Sequence, residues 1–506
     1  MPQCVLPWLT SWSIQRALAK RLPDPLRVLY VSTELYPALK TGGLADVNAA
    51  LPKALLGLGV DIRLLLPAYP ALLQAAAGLR PVAQLRSPFG DIEVRLLYGQ
   101  IDSVPVYLIE AGNLYQRPDN PYVDGEGRDW PDNYLQFALL SWTAASFADG
   151  AIDDWRPDIV HGHDWHAGLA PAYLAARAGA RPGSVFTVHN LAFQGAFPAT
   201  IFNKLALPAG FFSMDGLEFY GNVNYMKSGL HFADRITTVS PMYSLEIQTP
   251  EQGFGMDGVL RARAGAVCGI LNGVDYDLWN PQSDTTIAAR YCAQDAAGKG
   301  ECKHALRAEF GLASSGGPVF CVISRLTAQK GVDLVLDALP ALLRRGGQMV
   351  LLGSGEPALE AQLRVAAARF RGAVGVRLGY DERLAHRILA GSDVIVVPSR
   401  FEPCGLTQLY GLAYGTLPLV HHVGGLADTV RDTTKERLAA GTATGFTFEG
   451  ATLGGLREAA ARAFALWSKP VLWEQVRRTA MSQQFGWAAP ARHYRDLYQD
   501  LRPVAQ

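Results

Sequence analysis

Short apolar runs rich in Val, Ile and Leu alternate with helical patterns from residue 27 almost to the end of the chain. The first apolar run covers 27–32, a helical pattern follows over 43–59, and the next apolar run covers 60–67. Continuously apolar strands are buried on both faces of a sheet, and helices are the usual connections between parallel strands. The alternation therefore predicts the α/β fold class, with parallel sheets covered by helices.

The apolar runs fall into two series separated by a stretch rich in turn residues. The first series continues over 104–110, 158–163, 184–190 and 235–240, and the second comprises 318–325, 348–355, 374–380, 393–399 and 417–422. Two series of this kind predict two doubly wound, Rossmann-like domains. Where two such sheets face each other, their strand ends enclose a cleft, which is a common place for a ligand.

The domain boundaries follow from the same pattern. Turn residues cluster at 268–281, so we expect an N-terminal domain over 26–267 and a C-terminal domain over 268–486. A last helix within 487–506 carries Tyr and Leu on one stripe, which fits either domain. In residues 1–25 the basic residues follow the apolar run, which is the reverse of a signal peptide, so we interpret these residues as an extension.

Composition excludes several other classes of protein. Lys plus Arg and Asp plus Glu both number 46, and a formal charge of zero argues against a nucleic-acid binder, which needs a basic face. No run approaches the ~18 apolar residues that span a bilayer, which argues against a membrane protein. The six cysteines form no CxxC pair, which favours the reducing cytoplasm over a disulfide framework. These cysteines are Cys4, Cys268, Cys292, Cys302, Cys321 and Cys404.

The loop after the first strand is a candidate anion site. Lys40 and Thr41 precede Gly42 and Gly43, where the backbone approaches a ligand easily and the lysine adds positive charge at a helix start. The same Gly-Gly-Leu-Ala-Asp run recurs at 424–428, and we expect both runs to offer free backbone N–H groups to an anion. A surface lysine beside a helix cap is an equally good interpretation of Lys40.

Two further candidates follow strands of the second series. Arg325 ends one strand and Lys330 begins the next helix, and two fixed cations suit a diphosphate, although pairing with surface carboxylates is the alternative.

Glu402 and the backbone amides of 404–407 combine an acceptor for sugar hydroxyls with donors for phosphate. A simple carboxylate at a helix N-terminus is the alternative for Glu402. No base lies near Cys404, so we do not expect a nucleophile there.

The run His-Gly-His-Asp-Trp-His at 161–166 looks like a metal cluster. A metallohydrolase pattern needs Asp directly before the last His, where Trp165 stands, and no second cluster completes a ligand shell. We therefore favour a strand end that lines the cleft, with Asp164 and His166 bonding to ligand hydroxyls. His189 ends the next strand; it faces a reacting carbon or is an ordinary hydrogen-bonded cleft histidine.

A turn-rich segment over 113–134 contains four aromatic residues. Aromatic faces on such a loop suit a sugar chain, although many long loops carry them without binding anything. The four residues are Tyr115, Tyr122, Trp130 and Tyr134.

Six of these stretches resemble the bacterial glycogen synthases, the group that uses ADP-glucose and is shared with plant starch synthases. The matching runs are KTGGLADV, VHGHDWHAGLAP, FTVHNLAFQG, LNGVD, SRLTAQKG and SRFEPCGLTQLYGLAYG, in the right order. The resemblance implies a GT-B glycosyltransferase with an interdomain cleft, the donor held by the C-terminal domain and the glucan acceptor by the N-terminal one. It also implies a C-terminal helix that crosses back onto the first domain.

The resemblance further implies retaining transfer of glucose from ADP-glucose to the non-reducing-end 4-hydroxyl of an α-1,4-glucan, in the cytoplasm and without a metal or other cofactor. Many retaining GT-B enzymes have a second Glu eight positions after the first, where this chain has Tyr410, so ribose recognition is expected from elsewhere. The residues carried over as catalytic are Glu402, Arg325, Lys330, His189 and Asp164. The residues carried over as substrate-binding are Lys40, Thr41, Gly42, Gly43, Asn190, Asn272, Cys404, Gly405, Leu406 and Thr407.

Other classes of function remain open on the residues alone. A non-catalytic glucan-binding protein on a transferase fold is one, although every charged residue that the chemistry wants is present. A metal-dependent hydrolase that uses residues 161–166 is another, and a nucleotide-sugar epimerase is a third, although it leaves the aromatic loop without a purpose. No pattern in the sequence predicts an oligomeric state.

Overall fold

The computed structural model describes residues 25–117, 120–152 and 154–502. The extension expected over residues 1–25 lies outside the described residues except for Pro25. The described chain forms two lobes, each built on its own β-sheet with its own cluster of buried side chains.

The N-terminal lobe is built from strands β1–β12 and helices α1–α7. The strands are β1 (Arg27–Val31), β2 (Asp61–Pro67), β3 (Ala77–Arg86), β4 (Glu93–Ile101), β5 (Val104–Glu110), β6 (Ile159–His163), β7 (Gly183–Val188), β8 (Ala196–Pro198), β9 (Glu218–Phe219), β10 (Asn222–Asn224), β11 (Arg235–Thr238) and β12 (Val267–Gly269). The helices are α1 (Gly43–Gly57), α2 (Pro70–Ala75), α3 (Asn133–Ser146), α4 (Ala170–Ala175), α5 (Tyr225–Phe232), α6 (Pro241–Glu246) and α7 (Asp257–Ala262).

Nine of these strands form one sheet in the order β12-β11-β7-β6-β1-β2-β5-β4-β3. The six predicted strands of the first series all form, and from β12 to β5 every neighbouring pair is parallel. The sheet also has an antiparallel edge that the sequence did not predict, where β3 and β4 pair antiparallel with each other and β4 pairs antiparallel with β5. Most of β3 is solvent-exposed, so its sequence lacks the continuous apolar run that marks the buried strands.

The C-terminal lobe is built from strands β13–β18 and helices α8–α16. The strands are β13 (Val319–Ile323), β14 (Gln348–Gly353), β15 (Val374–Leu378), β16 (Val394–Val397), β17 (Leu417–His421) and β18 (Phe446–Phe448). The helices are α8 (Ala297–Glu309), α9 (Val332–Arg344), α10 (Pro357–Arg369), α11 (Glu382–Gly391), α12 (Thr407–Ala413), α13 (Gly424–Thr429), α14 (Lys435–Ala439), α15 (Leu453–Trp467) and α16 (Pro470–Met481).

The sheet of this lobe has six strands in the order β15-β14-β13-β16-β17-β18, and all neighbouring pairs are parallel. The five strands predicted from the second series all form. The sixth, β18, was not predicted because it is only three residues long.

The last helix, α17 (Ala488–Leu501), packs on the N-terminal lobe. Its fully buried side chains Ala491, Tyr494 and Tyr498 belong to the hydrophobic cluster of that lobe, and the Tyr498 hydroxyl lies 2.7 Å from Nδ1 of His161. The chain therefore crosses back from the C-terminal lobe, as the resemblance implies, and the structure decides the packing that the helical stripe left open.

Two further properties of the described residues concern the length of the helices and the state of the cysteines. Within the described residues, no helix combines the length and the hydropathy needed to cross a bilayer. The five cysteines in this part of the chain are all free thiols.

We expect Tyr498 to anchor α17 to the N-terminal lobe. Replacing it with Ala should lower the free energy of unfolding by about 3–5 kcal/mol, because a large buried ring leaves a cavity. Tyr498→Phe should lower it by about 1–3 kcal/mol, because the buried His161 nitrogen loses its partner. Urea unfolding at equilibrium measures both changes.

The matched control is Tyr220→Ala, since this ring is 82% exposed and its loss should change the free energy of unfolding by no more than about 0.5 kcal/mol. Equal effects of the Tyr498→Ala and Tyr220→Ala substitutions would contradict the anchoring role.

Candidate active site

A cavity of about 780 Å³ lies between the two lobes. The carboxyl ends of β1, β6 and β7 face it from the N-terminal lobe, and those of β13, β14 and β16 face it from the C-terminal lobe. All fifteen residues that the sequence analysis assigned to catalysis or substrate binding line this cavity. The strand ends of open parallel sheets are where ligands bind, so the cavity is the candidate active site.

Glu402 and Lys330 form a buried ion pair in the cavity wall. Nζ of Lys330 lies 2.6 Å from Oε2 of Glu402, and the Ser399 hydroxyl donates to the same oxygen at 2.8 Å. The Glu402 side chain is 7% exposed and that of Lys330 17%. The pair comes together because β16 ends beside the short 3-10 turn Ala328–Lys330 that follows β13. Lys330 is therefore paired with a carboxylate inside the site, not at the surface.

Arg325 is the cation of this wall that has no carboxylate partner. It follows β13 and is solvent-exposed, and within the described part of the chain its guanidinium forms no ion pair. The Arg325 guanidinium carbon lies 5.9 Å from the centroid of the Phe193 ring, which belongs to the opposite lobe. Arg325 thus brings an unneutralised positive charge to the cavity.

Backbone amides are free at the start of α12. The N–H groups of residues 405–407 make no hydrogen bond with the described part of the chain. Gly405 has φ +71°, and a Cβ at this position would lie 2.3 Å from Oε1 of Gln408, so the turn requires glycine. Beside it, the Cys404 thiol accepts a hydrogen bond from the backbone of Asn272, and burial raises the pKa of this thiol to about 12. The thiol stays protonated at neutral pH, in line with the absence of a nucleophilic role.

Two amides of the Lys40–Gly43 turn, those of Thr41 and Gly42, are not free. The Glu34 carboxylate accepts from the Thr41 amide at 2.6 Å, from the Thr41 hydroxyl at 2.6 Å and from the Gly42 amide at 3.3 Å. The prediction that the run at 42–46 offers free N–H groups to an anion is therefore wrong for Gly42, because the Glu34 carboxylate already accepts from its amide.

The second Gly-Gly run shows the same correction. The Gly424 amide donates to Oε1 of Glu246 at 2.8 Å, and the Gly425 amide donates to the Glu402 carbonyl oxygen at 3.1 Å. Gly424 has φ +44°, and a Cβ there would lie 2.0 Å from that carbonyl oxygen. This run therefore supports the Glu402 backbone through a close approach that only glycine permits.

Lys40 takes part in a charged network that joins the two lobes. Its Nζ lies 2.7 Å from Asp46 and 3.5 Å from Glu382, and its side chain is 19% exposed, so the surface-lysine interpretation is wrong. Tyr36 and Tyr380 both donate their hydroxyls to the Glu382 carboxylate. Burial raises the pKa of Asp46 to about 6, although the charge of Lys40 opposes this shift.

Asp164 is buried at the end of β6 with an uncommon backbone conformation. Its φ is +55°, and its carboxylate accepts from the amides of His189 at 2.7 Å and Asn190 at 3.3 Å. Burial raises its pKa to about 7, and the two amide hydrogen bonds only partly offset this shift. Asp164 therefore ties the end of β6 to the end of β7 and is close to half protonated at neutral pH.

Two of the three histidines of the 161–166 run, His161 and His163, bond to other side chains of the protein. His161 contacts the Tyr498 hydroxyl through Nδ1 at 2.7 Å and the Thr187 hydroxyl through Nε2 at 2.6 Å. His163 contacts Nε2 of His189 at 2.9 Å, and burial lowers the pKa of His166 to about 3. Both nitrogens of His161 are thus used in the core, and a metal cluster at this run loses one of its ligands.

One of the four aromatic residues of the 113–134 segment lines the cavity. Tyr122 donates its hydroxyl to Glu34 at 2.6 Å and stacks on His166, with ring centroids 4.5 Å apart. Tyr115 is instead buried in the lobe core, and the Trp130 ring lies under the guanidinium of Arg117. The segment therefore presents Tyr122 to a ligand in this structure.

The aromatic side chain at position 410 is part of a stack. The Tyr410 ring lies on Trp279 with centroids 3.9 Å apart, and His386 lies on the other face of Trp279 at 3.9 Å. Tyr410 thus adds an aromatic surface to the cavity. Sequence reasoning did not identify Trp279, because no strand end or motif marks it.

Two other residues that line the cavity, Glu34 and Tyr380, and Glu382 beside them were missed although a signal existed. Glu34 follows β1, while Tyr380 and Glu382 follow β15, so a strict reading of strand ends would have included them. Their importance is visible only in their partners, since Glu34 bonds the Thr41 turn and Glu382 contacts the opposite lobe.

Asp164 generates a prediction about pH and stability. Its pKa is about 7 in the folded protein and about 3.9 when unfolded, so the folded state binds more protons between these values and stability falls as pH rises from about 4 to about 7. Asn keeps the acceptor oxygen without the charge. The Asp164→Asn variant should therefore be at least as stable as the parent protein at pH 8, with the difference shrinking towards pH 5, as measured by urea unfolding.

Asp234→Asn is the control of opposite sign. Burial of Asp234 raises its pKa, but hydrogen bonds from Arg181 and Ser184 outweigh burial, so its pKa is lowered and its charge is stabilising. Asp234→Asn should lose stability at pH 8. An Asp164→Asn variant that also loses stability at pH 8 would contradict the prediction.

Comparison with known proteins agrees with this geometry. The family model described as "Starch synthase catalytic domain" matches residues 27–262, and "Glycosyl transferases group 1" matches residues 317–453. The glycogen synthase of Francisella tularensis subsp. tularensis (strain WY96-3418) is 52% identical over 484 residues, which cover 94% of this chain and 99% of that protein. That of Francisella philomiragia subsp. philomiragia is also 52% identical, with 94% and 100% covered.

Solved structures show the same fold. The catalytic domain of starch synthase IV from Arabidopsis thaliana, bound to ADP and acarbose, superposes with a TM-score of 0.86 at 32% identity and covers 95% of this chain and 100% of its own. A sucrose-phosphate synthase from Thermosynechococcus elongatus shares the fold at a TM-score of 0.58 and 18% identity, covering 94% of this chain and 99% of its own. The GT-B fold is confirmed, and the chain belongs to the glycogen synthases, a family of glycosyltransferases related to the starch synthases.

Proposed function

We propose that this protein elongates an α-1,4-glucan by moving glucose from ADP-glucose to the 4-hydroxyl at the non-reducing end, with retention of the anomeric configuration. Membership of the glycogen synthases supports the reaction, and the starch synthase IV structure with ADP and acarbose supports the choice of nucleotide. The observation that carries the proposal is the meeting, in one cavity, of the free Arg325 charge, the Lys330–Glu402 pair and the unbonded amides of 405–407.

The lobe of residues 268–486 is proposed to hold the donor. Arg325 and Lys330 neutralise the diphosphate, on which negative charge grows as the bond to glucose breaks. Fixed cations stabilise such charge most at the place where it develops. Lys330 shares its charge with Glu402, so Arg325 supplies the larger net positive charge.

The glucose unit is proposed to lie against the start of α12. The Glu402 carboxylate accepts hydrogen bonds from sugar hydroxyls, and the backbone of residues 404–407 donates to the oxygens that face it, with Asn272 close to Cys404. The Lys40–Gly43 turn contacts the donor from the opposite lobe. A Cβ on Gly43 would lie 3.5 Å from the Leu406 side chain, so the two loops lie in contact across the cavity.

The lobe of residues 26–267, together with the helix within 487–506, is proposed to hold the acceptor glucan. Asp164, His189 and Asn190 lie at adjoining strand ends and are placed in this proposal around the point of transfer. Tyr122 offers the aromatic face on which a sugar ring stacks.

The reaction is proposed to proceed on one face of the sugar. The anomeric C–O bond breaks with its electron pair on the ADP oxygen, the acceptor 4-oxygen bonds to the anomeric carbon, and its proton passes to that ADP oxygen. A two-step route needs a free carboxylate nucleophile. Glu34 and Glu402 already accept from fixed donors, and Asp164 is close to half protonated at neutral pH, which favours the single-face route.

The proposed reaction uses no cofactor, and the free cysteines suit a reducing compartment such as the cytoplasm. Lys330 and Arg325 take the role that a metal ion has in other nucleotide-sugar enzymes. Activity that is unchanged after exhaustive chelation would support this; loss on chelation and recovery with a divalent metal would favour the hydrolase interpretation of residues 161–166.

Arg325→Ala should lower turnover by about 10²–10³-fold, because one fixed donor to the developing charge is lost. Lys330→Ala should lower it similarly and should also reduce stability, because Glu402 stays buried without its partner. Initial rates with ADP-glucose and glycogen measure the first effect and thermal unfolding the second.

The matched control is Arg364→Ala, whose side chain is 62% exposed and remote from the cavity. Near-normal turnover in both variants would remove the diphosphate argument.

The substrates are tested by nucleotide release. We expect ADP release from ADP-glucose to depend on added glycogen, and UDP-glucose to be a much poorer donor. Release of ADP without glycogen, or none with it, would favour a hydrolase or a non-catalytic glucan-binding protein respectively.

A further inference from the structure

His163 contacts the cavity histidine His189 but does not line the cavity itself. Nδ1 of His163 lies 2.9 Å from Nε2 of His189, and His163 is fully buried. The other nitrogen of His189, Nδ1, makes no hydrogen bond within the described part of the chain, and the residue lines the cavity. The position of the proton between the two facing nitrogens therefore decides whether Nδ1 of His189 is a hydrogen-bond donor or an acceptor for a ligand.

Both rings are neutral, so each carries one proton. Burial lowers the pKa of His189 to about 3, and burial together with the neighbouring histidines lowers the pKa of His163 well below its usual value. A nitrogen-to-nitrogen contact of 2.9 Å is a hydrogen bond only when one of the two facing nitrogens carries a proton and the other does not. The tautomers of the two rings are therefore linked.

The surroundings of the second ring nitrogen of His163, Nε2, decide which of its two nitrogens carries the proton. Its Nε2 is buried and has no hydrogen-bond partner. A buried N–H without an acceptor is rarer, and less favourable, than a buried acceptor without a donor. The proton of His163 therefore belongs on Nδ1, where it is donated to Nε2 of His189.

The ring of His163 cannot turn to escape this arrangement. Tyr30 stacks on it with centroids 3.9 Å apart, and the Tyr30 hydroxyl is itself held by Asn48 at 2.7 Å. On the other side, both nitrogens of His161 are engaged with Tyr498 and Thr187, so no new partner is available there.

We propose that His163 is a positioning residue that fixes the tautomer of His189, so that His189 presents an Nδ1–H donor to the substrate. With Nε2 occupied as an acceptor, the one proton of His189 must lie on Nδ1. The cavity then contains a neutral N–H donor that suits the oxygen of a sugar hydroxyl. This part of the inference rests on the glucose transfer proposed above. Asp164 holds the same residue by its backbone amide, so His189 is fixed at both ends.

Nitrogen NMR of the full chain labelled with ¹⁵N-histidine tests the proton position without any substrate. The signals of His189 are assigned by their absence in His189→Gln. We expect His189 to have a protonated Nδ1 and a bare Nε2 in the parent protein. His163→Asn should preserve this, because its amide nitrogen lies as many bonds from the backbone as Nδ1. His163→Leu should move much of the proton to Nε2. A protonated Nε2 in the parent protein, or identical His189 signals in all three proteins, would overturn the proposal.

Kinetics separate positioning from a structural role. His163→Leu should lower kcat/KM for ADP-glucose about tenfold, the value of one neutral hydrogen bond, and His163→Asn should restore most of it. His163→Leu should change the midpoint of thermal unfolding little, because loss of the partner of His189 Nε2 and removal of the orphaned Nε2 of His163 have opposite effects on stability. Loss of stability and activity in equal measure in both variants would assign His163 a structural role instead. Because the NMR test needs no substrate, a failure of the proposed glucose transfer is distinguishable from a failure of this inference.

Discussion

The site exists because two parallel sheets present the carboxyl ends of their strands to one cavity. Parallel strands place their polar connections at the same edge, and the cavity collects the residues that follow β1, β6 and β7 on one side and β13, β14 and β16 on the other. Helix α17 crosses back from the C-terminal lobe and packs in the core of the first lobe.

Charge in the cavity is mostly balanced within the protein. Glu34 is occupied by the Thr41 turn, Asp46 by Lys40 and Glu402 by Lys330, so the acidic side chains do not repel an anionic ligand at full strength. On the C-terminal lobe, the described donors that remain without a carboxylate partner are the Arg325 guanidinium and the amides of 405–407. An anion that enters therefore meets net positive charge on the C-terminal lobe, where donor binding is proposed.

Much of this was predictable from local patterns. The buried parallel strands are visible in the sequence as continuous apolar runs. Residues just after these runs, such as Arg325 and His189, were predicted to line the cavity because ligands bind at the carboxyl ends of parallel strands. The hairpin of β3 and β4 was not predicted because an exposed antiparallel strand lacks such a run. The role of the two Gly-Gly runs was predicted wrongly, because whether an amide is free depends on a side chain brought from elsewhere, as Glu34 and Glu246 show.

The sequence by itself determined the fold class, the two lobes and many of the residues that line the cavity, since hydrophobic periodicity and the ends of strands are local properties of the chain. Only the tertiary structure decided which of these residues pair with one another. The Lys330–Glu402 pair joins positions 72 residues apart, and the His163–His189 contact joins neighbouring strands of one sheet. Protonation follows from such contacts and from burial, because both depend on the low-dielectric surroundings that packing creates, and no local pattern records them.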